Sequence, residues 1–203
     1  TIYIGMTLFQ IILLLIGRIP LFDTLCISFG TAGTGGFGIV NDSMGSYSTY
    51  CQVVTTIFMI LFGVNFSAYY LLLTKKFVQA FKFEEVRYYF GIILAAILVI
   101  GLNTAHLFRN LGEAFQQAAF QVGSIITTTG FSSTDFSQWP SLSKTILVLL
   151  MFVGACAGST GGGIKVSRIL ILCKAAKKEF QLYLHPNAVK KIKMDEKTIG
   201  HDI

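Results

Sequence analysis

Charged residues are scarce in this 203-residue chain, and it has one tryptophan and three prolines. Asp, Glu, Lys and Arg together make up 13% of the sequence, and soluble globular domains carry about twice that share. Hydrophobic residues make up 53%, and the mean hydropathy is +0.67. This composition argues against a soluble domain and favours a membrane protein.

The sequence also lacks the residue clusters that metal sites, disulfide frameworks and catalytic centres require. Its four cysteines show no CxxC spacing and its three histidines are scattered, so neither type forms a ligand set. An intramembrane hydrolase would need a nucleophile with His or Asp partners at depth, and His106 falls at the outer edge of an apolar stretch. We therefore predict a protein that is not an enzyme and has no cofactor, and we interpret the cysteines as small buried hydrophobic residues.

Four stretches without charge are long enough to cross a bilayer, which takes about 17–25 residues. They are Thr1–Gly17, Cys51–Leu73, Tyr88–Ala105 and Thr145–Ile164. The first stretch has neither a basic leader nor a small-residue cleavage site, so it is interpreted as a span and not as a secretory signal. We expect this span to begin before residue 1, which is not Met.

The formal net charge of +6 is distributed in a way that indicates topology and not nucleic-acid binding. Four of the 16 Lys and Arg residues lie within 74–87, and nine lie from Lys165 onward. Because basic connecting segments stay cytoplasmic, these two regions are predicted to face the cytoplasm, while segments 18–50 and 103–144 face outward. An anionic lipid leaflet accounts for the basic tail without any nucleic acid.

The outward segments contain an internal repeat with a period of 94 residues. Each holds an apolar stretch of half-span length, within Leu21–Gly38 and within Leu111–Phe131, that runs into glycines and threonines and through a Gly-Phe pair. Ten residues of helix reach about 15 Å, half of the hydrocarbon thickness. The sequence therefore predicts two units of span, half-helix, Gly/Thr strand and span.

The physics of this unit favours a cation path. A half-helix that enters from outside directs the partial negative end of its dipole toward the bilayer centre. The strand after it leaves its carbonyls free, and irregular backbone at membrane depth is tolerated only where protein buries it or water bathes it. Neither strand has a carboxylate, and neutral carbonyls suit a monovalent ion that must lose its hydration shell and leave quickly. A tight extracellular turn is the alternative for either strand alone.

Five blocks of sequence carry a resemblance to a known family. They are TAGTGGFGIVNDSMGSY, FGVNFSAYYLLL, SIITTTGFSSTDFSQWP, GACAGSTGGGIKVSRILIL and LHPNAV, and they occur in this order along most of the chain. On these blocks the chain resembles the TrkH/KtrB/HKT superfamily of potassium translocation proteins, and TrkH in particular. The resemblance implies an all-α integral membrane protein in which repeated helix–pore loop–helix units, similar to those of potassium channels, enclose one ion path in a pseudo-fourfold arrangement.

Four pore units are fused in that family, and this chain resembles a fragment that holds the second and third. The implied divisions are a pore unit at 1–74, a cytoplasmic basic linker at 75–87, a pore unit with a broken second helix at 88–176, and a cytoplasmic basic tail at 177–203. Two strands cannot surround an ion. Either the chain is an excerpt of a longer protein, which we favour, or two copies assemble.

The resemblance assigns a selectivity filter to the residues ahead of each Gly-Phe pair. In the family, the glycine before the aromatic residue lines the constriction, and Gly36 and Gly130 occupy that place. The first strand departs from the second in having glycine at 33 and 35, which removes two hydroxyls and leaves carbonyl coordination intact. Potassium is the implied transported ion. The filter residues assigned to bind it are Gly33, Thr34, Gly35, Gly36, Thr127, Thr128, Thr129 and Gly130.

A glycine-rich stretch interrupts the fourth span and matches the family's intramembrane gate. The residues on both sides are helical by composition, so the glycines are predicted to form irregular backbone at membrane depth. Ser159 and Thr160 could hydrogen-bond neighbouring helices, and Lys165 could repel cations or, like Arg168, extend to the inner headgroups. A phosphate-binding loop would need Lys directly after the last glycine and a preceding strand, and both are missing. The assigned gate residues are Gly158, Ser159, Thr160, Gly161, Gly162, Gly163 and Lys165.

Four further residues are assigned from their positions. Asn65, inside the second span, either bonds a neighbouring helix or lines the cavity beneath the filter. Asp42 and Asp135 either brace the filter strands or are ordinary turn residues. Trp139 is predicted to anchor the chain at the outer membrane surface.

These features predict potassium uptake across a bacterial inner membrane, through a carbonyl and threonine filter that faces outward and is gated by the glycine-rich loop. The resemblance implies a cytoplasmic TrkA-like nucleotide-binding subunit as partner and a homodimer of the full-length protein, in contact with membrane lipid. The alternative is a secondary transporter with broken helices around a midplane ion or solute site. Channel and symport mechanisms both stay open, and so does transport of sodium beside potassium.

Overall fold

The computed structural model describes residues 2–75, 83–184, 193–194 and 197–198. Eight α-helices make up most of these residues. In chain order they are α1 (Ile2–Ile16), α2 (Leu21–Ala32), α3 (Thr49–Phe62), α4 (Phe66–Leu73), α5 (Glu84–Thr104), α6 (Leu111–Ile126), α7 (Ser141–Val153) and α8 (Val166–Leu184). The smaller elements are 3₁₀ turns at Ala105–Leu107 and Phe136–Gln138 and an antiparallel pair of two-residue strands, β1 (Lys193–Met194) and β2 (Lys197–Thr198).

The predicted repeat is present as two helical units. The first is formed by α1, α2 and the pair α3–α4, and the second by α5, α6 and the pair α7–α8. The half-helices are α2 and α6, with 12 and 16 residues, which corresponds to lengths of about 18 Å and 24 Å. Both are shorter than the roughly 30 Å hydrocarbon core of a bilayer.

The pair α3–α4 contradicts the prediction of one straight span at Cys51–Leu73. The chain instead bends by 93° between the two helices. Gly63 ends α3, and a Cβ at this position would lie 2.2 Å from the hydroxyl oxygen of Tyr89. Asn65 then caps α4, because its Oδ1 accepts a hydrogen bond from the amide of Ser67 at 2.8 Å. The second span is therefore broken like the fourth.

The helices are shorter than predicted in the first, second and fourth spans, whereas α5 is longer than the third predicted span. Within the described ranges, one helix is long and apolar enough by itself to cross a membrane, namely α5 with its following 3₁₀ turn (Glu84–Leu107, 24 residues). The bent pair α3–α4 meets this criterion only when it is counted as one span, and α1 and α7 are apolar helices of 15 and 13 residues. The break predicted in the fourth span is present between Val153 and Val166.

The second half-helix, α6, connects the two units. It packs against α5 and α7 of its own unit and against α3 of the first unit. One apolar cluster is built mainly by the second unit, and the other belongs to α1–α3 but also contains Phe120 and Phe131 from the second unit. Each such large side chain, when fully buried, stabilises the fold by about 1.5–3 kcal/mol. The second unit therefore contributes two aromatic side chains to the apolar cluster of the first unit.

Two expectations about the second unit change with the structure. Trp139 is not a surface anchor, because its indole is buried edge-on against Phe108, where it removes more apolar surface from water. The helix α8 continues to Leu184, past the predicted start of the basic tail at 177, and residues 185–192 of that tail lie outside the described residues. Apart from β1 and β2, the regular structure of the described residues is helical.

Candidate functional site

The two predicted filter strands have the same backbone hydrogen bonds, 94 residues apart. In the first strand the amides of Gly33, Thr34 and Gly35 donate to the carbonyls of Phe29, Thr31 and Gly30. In the second strand the amides of Thr127, Thr128 and Thr129 donate to the carbonyls of Gly123, Ile125 and Ser124. Each donor and acceptor has its counterpart in the other unit, so both half-helices end in the same turn.

Matching residues of the two strands also adopt the left-handed backbone conformation. The φ angle is +51° at Thr34 and +56° at Thr128, and it is +68° at Gly36 and +88° at Gly130. A non-glycine residue in this region costs of order 1–3 kcal/mol and persists only when the surrounding structure holds it there. Because threonine takes this conformation at the same place in both units, the surrounding fold sets the shape of the strands.

The two strands lie against each other. A Cβ built at Gly36 would lie 1.9 Å from the carbonyl oxygen of Thr129, so only glycine fits this contact. The loops that follow the strands are also joined, because the Met44 amide donates to the Ser132 carbonyl at 2.8 Å and the Ser132 amide donates to the Ser43 hydroxyl at 3.2 Å. The structure thus brings the predicted filter residues of both units together.

The hydroxyls of Thr127 and Thr129 point into the protein. They are 2.8 Å from each other, and the Thr127 hydroxyl donates to the Gly123 carbonyl at 2.6 Å. Both threonines are buried, at 0% and 2% exposure. These hydroxyls brace the second strand from behind, and glycine at 33 and 35 leaves the first strand without the same brace.

The glycine-rich loop between α7 and α8 contacts both strands near the ends of the half-helices α2 and α6. The Thr34 hydroxyl lies 3.3 Å from the Thr160 carbonyl oxygen and 2.8 Å from the carbonyl oxygen of Gly33, and its single proton is shared between these two acceptors. The Gly162 amide donates to the Thr128 hydroxyl at 2.6 Å. The gate residues predicted from the sequence are therefore bonded directly to the filter residues predicted from the sequence.

The same loop contacts the break between α3 and α4. The Cys156 amide donates to the Gly63 carbonyl at 3.0 Å, and the Phe66 amide donates to the Gly158 carbonyl at 3.3 Å. Asn65 lies beside the loop, since a Cβ at Gly158 would be 3.4 Å from its Oδ1. Asn65 therefore acts as a helix cap next to the predicted gate.

Two hydroxyl side chains of the loop differ in their partners. The Thr160 hydroxyl donates to the carbonyl of Phe62, the last residue of α3, at 3.4 Å. Ser159 bonds within the loop instead, because its hydroxyl donates to the Cys156 carbonyl at 2.6 Å. Of the two, only Thr160 makes the bond to a neighbouring helix that we expected.

The two basic residues after the glycines also differ. The Lys165 ammonium donates to the carbonyl of Gly161, so its charge lies against the loop itself. The backbone of Lys165 has a φ of +82°, which residues other than glycine rarely adopt. Arg168 is exposed on α8, as expected for a side chain that extends to headgroups.

One residue at this site escaped the sequence analysis. Glu85, near the start of α5, is 4% exposed and accepts hydrogen bonds from the backbone amides of Ala157 and Ser167. These two amides stand at the two ends of the glycine-rich loop. The available signal is the acidic pair Glu84 and Glu85 at the edge of the third apolar stretch, which falls within the predicted basic linker.

Asp42 and Asp135, in the loops that follow the two Gly/Thr strands, bond within their own turns. The Asp135 carboxylate accepts from the Ser137 amide at 2.9 Å, and hydrogen bonds from Ser137 hold the pKa of Asp135 below its usual value. The Asp42 carboxylate accepts from the Ser46 hydroxyl. These contacts fit the turn role, which is the second of the two roles considered for them. Among the described residues no group of three His, Cys, Asp or Glu could hold a metal ion.

Comparison with known proteins gives a family and several relatives. The family model described as TrkH, cation transport protein, matches residues 2–203. The Trk system potassium uptake protein TrkH of Salmonella typhimurium is 33% identical over 208 residues, which is 100% of this chain and 43% of that protein. The protein of the same name from Vibrio parahaemolyticus is 33% identical over 199 residues, with coverages of 95% and 41%.

A solved structure matches as well. The crystal structure of the potassium transporter TrkH from Vibrio parahaemolyticus superposes with a TM-score of 0.89 at 34% sequence identity. The match covers 95% of this chain and 42% of that one, so the chain spans less than half the length of the relatives it matches. This likeness confirms the predicted all-α membrane-protein fold.

Proposed function

Because this chain belongs to the TrkH family of cation transport proteins, as its sequence motifs predicted, we propose that it supplies two pore units of a potassium uptake protein. Potassium loses its water at the backbone carbonyls of residues 33–36 and 127–130, and the loop of residues 158–163 gates the path beneath them. The relatives named as potassium uptake proteins support the choice of ion. The protein acts as a transporter and not as an enzyme.

The observation that carries this proposal is that the two strands share the same backbone conformation and the same backbone hydrogen bonds. The same hydrogen bonds and the same left-handed residues recur in both units. A filter that surrounds one ion needs this symmetry, because every strand must present its carbonyls in the same way. The half-helices α2 and α6 end at the strands, and the partial negative ends of their dipoles favour a cation there.

We assign ion coordination to the carbonyl oxygens and not to the hydroxyls of Thr127 and Thr129. Those hydroxyls are buried and bonded to each other. The assignment explains why the first strand can have glycine at 33 and 35. Glycine removes a brace behind that strand and leaves its carbonyls available.

The contrast between Phe37 and Phe131 supports further pore units around the same path. Phe131 is 1% exposed because it packs against α2, where a Cβ on Gly30 would lie 3.1 Å from its ring. Phe37 has the equivalent position in the first unit and is 86% exposed. In a ring of repeating units, the half-helix of another unit covers Phe37 as α2 covers Phe131. The full-length protein consists of this chain together with those units.

The bonds between loop and strands support the gate. The loop is bonded to Thr34 and Thr128, so in this position it closes the inner end of the path. Four of the six residues from Gly158 to Gly163 are glycine, which gives the backbone the freedom to move aside. Lys165, bonded to the loop from the inner side, adds a positive charge on the way out.

A secondary transporter is the second candidate, and the two broken helix pairs favour it. The pair α3–α4 bends by 93° and the pair α7–α8 is interrupted, and discontinuous helices form ion sites in many transporters. Two other features weigh against it. The repeat runs in the same direction in both units, and neither strand has an ionisable side chain.

The distribution of basic residues supports an orientation of the full-length protein in the membrane. The basic linker at 75–87 and the tail at 177–203 lie in the cytoplasm, and the pore units at 1–74 and 88–176 cross a bacterial inner membrane with their filters facing outward. A TrkA-like nucleotide-binding subunit docks on the cytoplasmic side, and two copies form a homodimer.

Ion flux through the full-length protein in liposomes tests the proposal. Potassium and rubidium should pass faster than sodium, because one filter of neutral carbonyls selects among alkali ions. Equal rates for potassium and sodium would contradict the filter. Saturating flux that requires proton exchange in a fixed ratio would favour the secondary transporter.

A further inference from the structure

Glu85 is a buried carboxylate in the first turn of α5, at the base of the gate loop. Within the part of the chain that the structure describes, no Lys or Arg forms an ion pair with it. The ion pair found there joins the neighbouring Glu84 to Lys174. A buried charge is costly unless hydrogen bonds satisfy it, so the partners of Glu85 should explain its presence.

Those partners are amides at the two ends of the loop. The Oε1 atom of Glu85 accepts from the Ala157 amide at 2.6 Å and from the Ser167 amide at 3.2 Å. Ala157 directly precedes the glycine-rich stretch, and Ser167 is the second residue of α8, where amides have no partner within the helix. A carboxylate at a helix N-terminus is favoured by the dipole and by charge-assisted bonds. One oxygen atom therefore ties the start of the loop to its end.

Other contacts join the same two ends. The Val166 amide donates to the Ala155 carbonyl at 3.1 Å. A Cβ on Gly163 would lie 2.7 Å from the Cα of Gly154, so the backbone before the loop touches the backbone after it. The middle of the loop bonds instead to the filter strands. The loop thus has a closed base and a separate tip.

We propose that Glu85 is a positioning residue for the gate, whose carboxylate holds both ends of the loop together so that the tip meets the filter strands in one closed position. This inference rests on the proposed gate function of the loop. Without the acceptor oxygen the ends separate, and the tip loses its alignment beneath Thr34 and Thr128. The acceptor atom is the essential feature, because both bonds go to a single oxygen.

Basal rubidium flux through the full-length protein in liposomes, without partner or nucleotide, tests this role. Glu85→Ala removes the acceptor and should raise basal flux about tenfold, which corresponds to a loss of about 1.4 kcal/mol of closed-state stabilisation. Glu85→Gln keeps an oxygen that can accept both bonds but loses the charge, so its basal flux should lie between wild type and Glu85→Ala. Glu85→Asp is shorter by one methylene and should resemble Glu85→Ala. The potassium-to-sodium ratio should not change in any variant.

A matched control is Glu84→Gln, which removes the adjacent acid and its ion pair with Lys174. This control should keep the wild-type basal flux. The Gly36→Ala variant, in the filter, should block flux. Together the controls separate an effect on the gate from a general effect of charge or folding.

The outcomes distinguish a failure of this inference from a failure of the proposed function. If wild-type protein does not discriminate potassium from sodium, the proposed function fails. If wild type is selective and Gly36→Ala blocks flux, but Glu85→Ala keeps the wild-type basal flux, the positioning role of Glu85 is overturned. A changed potassium-to-sodium ratio in Glu85→Ala also overturns it. If that variant does not reach the membrane, equal basal flux in Glu85→Asp and Glu85→Gln overturns the role.

Discussion

The backbone amide of Gly162 donates a 2.6 Å hydrogen bond to the hydroxyl of Thr128. This bond joins the tip of the glycine-rich loop to the second Gly/Thr strand, and the Thr34 hydroxyl of the first strand lies 3.3 Å from the Thr160 carbonyl oxygen. The strands and the loop are therefore one bonded unit. On the proposed function, a change at the loop should alter how long the path stays closed, and a change in the strands should alter which ion passes.

Thr128→Val removes the hydroxyl that accepts the bond from Gly162 and keeps the branched shape of the side chain. Basal rubidium flux of the full-length protein should rise about two- to tenfold, because a neutral hydrogen bond contributes about 0.5–1.5 kcal/mol. Selectivity should not change, since the carbonyls stay in place. Thr145→Val is the control, because its hydroxyl bonds to the carbonyl of Ser141 in its own helix. Wild-type basal flux in Thr128→Val would mean that this bond does not hold the loop closed.

Gly36→Ala should abolish uptake. Its Cβ would lie 1.9 Å from the Thr129 carbonyl oxygen, and the φ of +68° is unfavourable for alanine. Gly91→Ala is the matched control, because nothing lies within 4 Å of an added Cβ there. The measurement is rubidium uptake by cells that lack their own potassium uptake systems, normalised to the amount of protein in the membrane. Uptake by Gly36→Ala at the rate of Gly91→Ala would contradict the close contact of the strands.

Gly63→Ala should destabilise the break between α3 and α4. The added Cβ would lie 2.2 Å from the Tyr89 hydroxyl oxygen and would displace it from the Ile60 carbonyl, to which it donates at 3.0 Å. The free energy of unfolding should fall by about 1–3 kcal/mol, measured as a lower Tm in detergent. Gly112→Ala, in α6 and with nothing within 4 Å of its Cβ, should not lower the Tm. Equal Tm values for the two variants would exclude this packing.

Alkaline pH should reveal the burial of Tyr47. Burial, and the hydrogen bond that its hydroxyl donates to Asp23 at 2.8 Å, raise the pKa of Tyr47 to about 12. The folded state favours the neutral phenol, so its stabilisation is complete below the ordinary tyrosine pKa of about 10 and is lost as the pH rises through about 12. The difference in Tm between wild type and Tyr47→Phe should therefore shrink over this range. A constant difference would contradict the prediction.

The local features of this fold could be predicted from the sequence. Each of the four glycines within Gly158–Gly163 weakens a helix by about 1 kcal/mol, and their combined cost disfavours a continuous helix through this stretch. The half-helices that end near Gly36 and Gly130 occur twice, and the second copy reinforced the interpretation of the first. Composition and spacing along a short segment decide features of this kind.

Features that depend on distant residues could not be predicted in the same way. A single Gly63 is compatible with a continuous span, and the break there depends on Tyr89 occupying the space of a Cβ. The residue type of Trp139 predicts a place at the membrane interface, but Phe108 and the core bury its indole. Glu85 is buried because amides at the two ends of a loop much later in the sequence donate hydrogen bonds to it. The sequence around Glu85 does not reveal these partners.

Anomalous diffraction from crystals of the full-length protein grown with rubidium tests the central claim most directly. The account predicts a rubidium peak between the two strands, in contact with backbone carbonyl oxygens of residues 33–36 and 127–130. Rubidium bound elsewhere in the protein, with no peak between these strands, would contradict it.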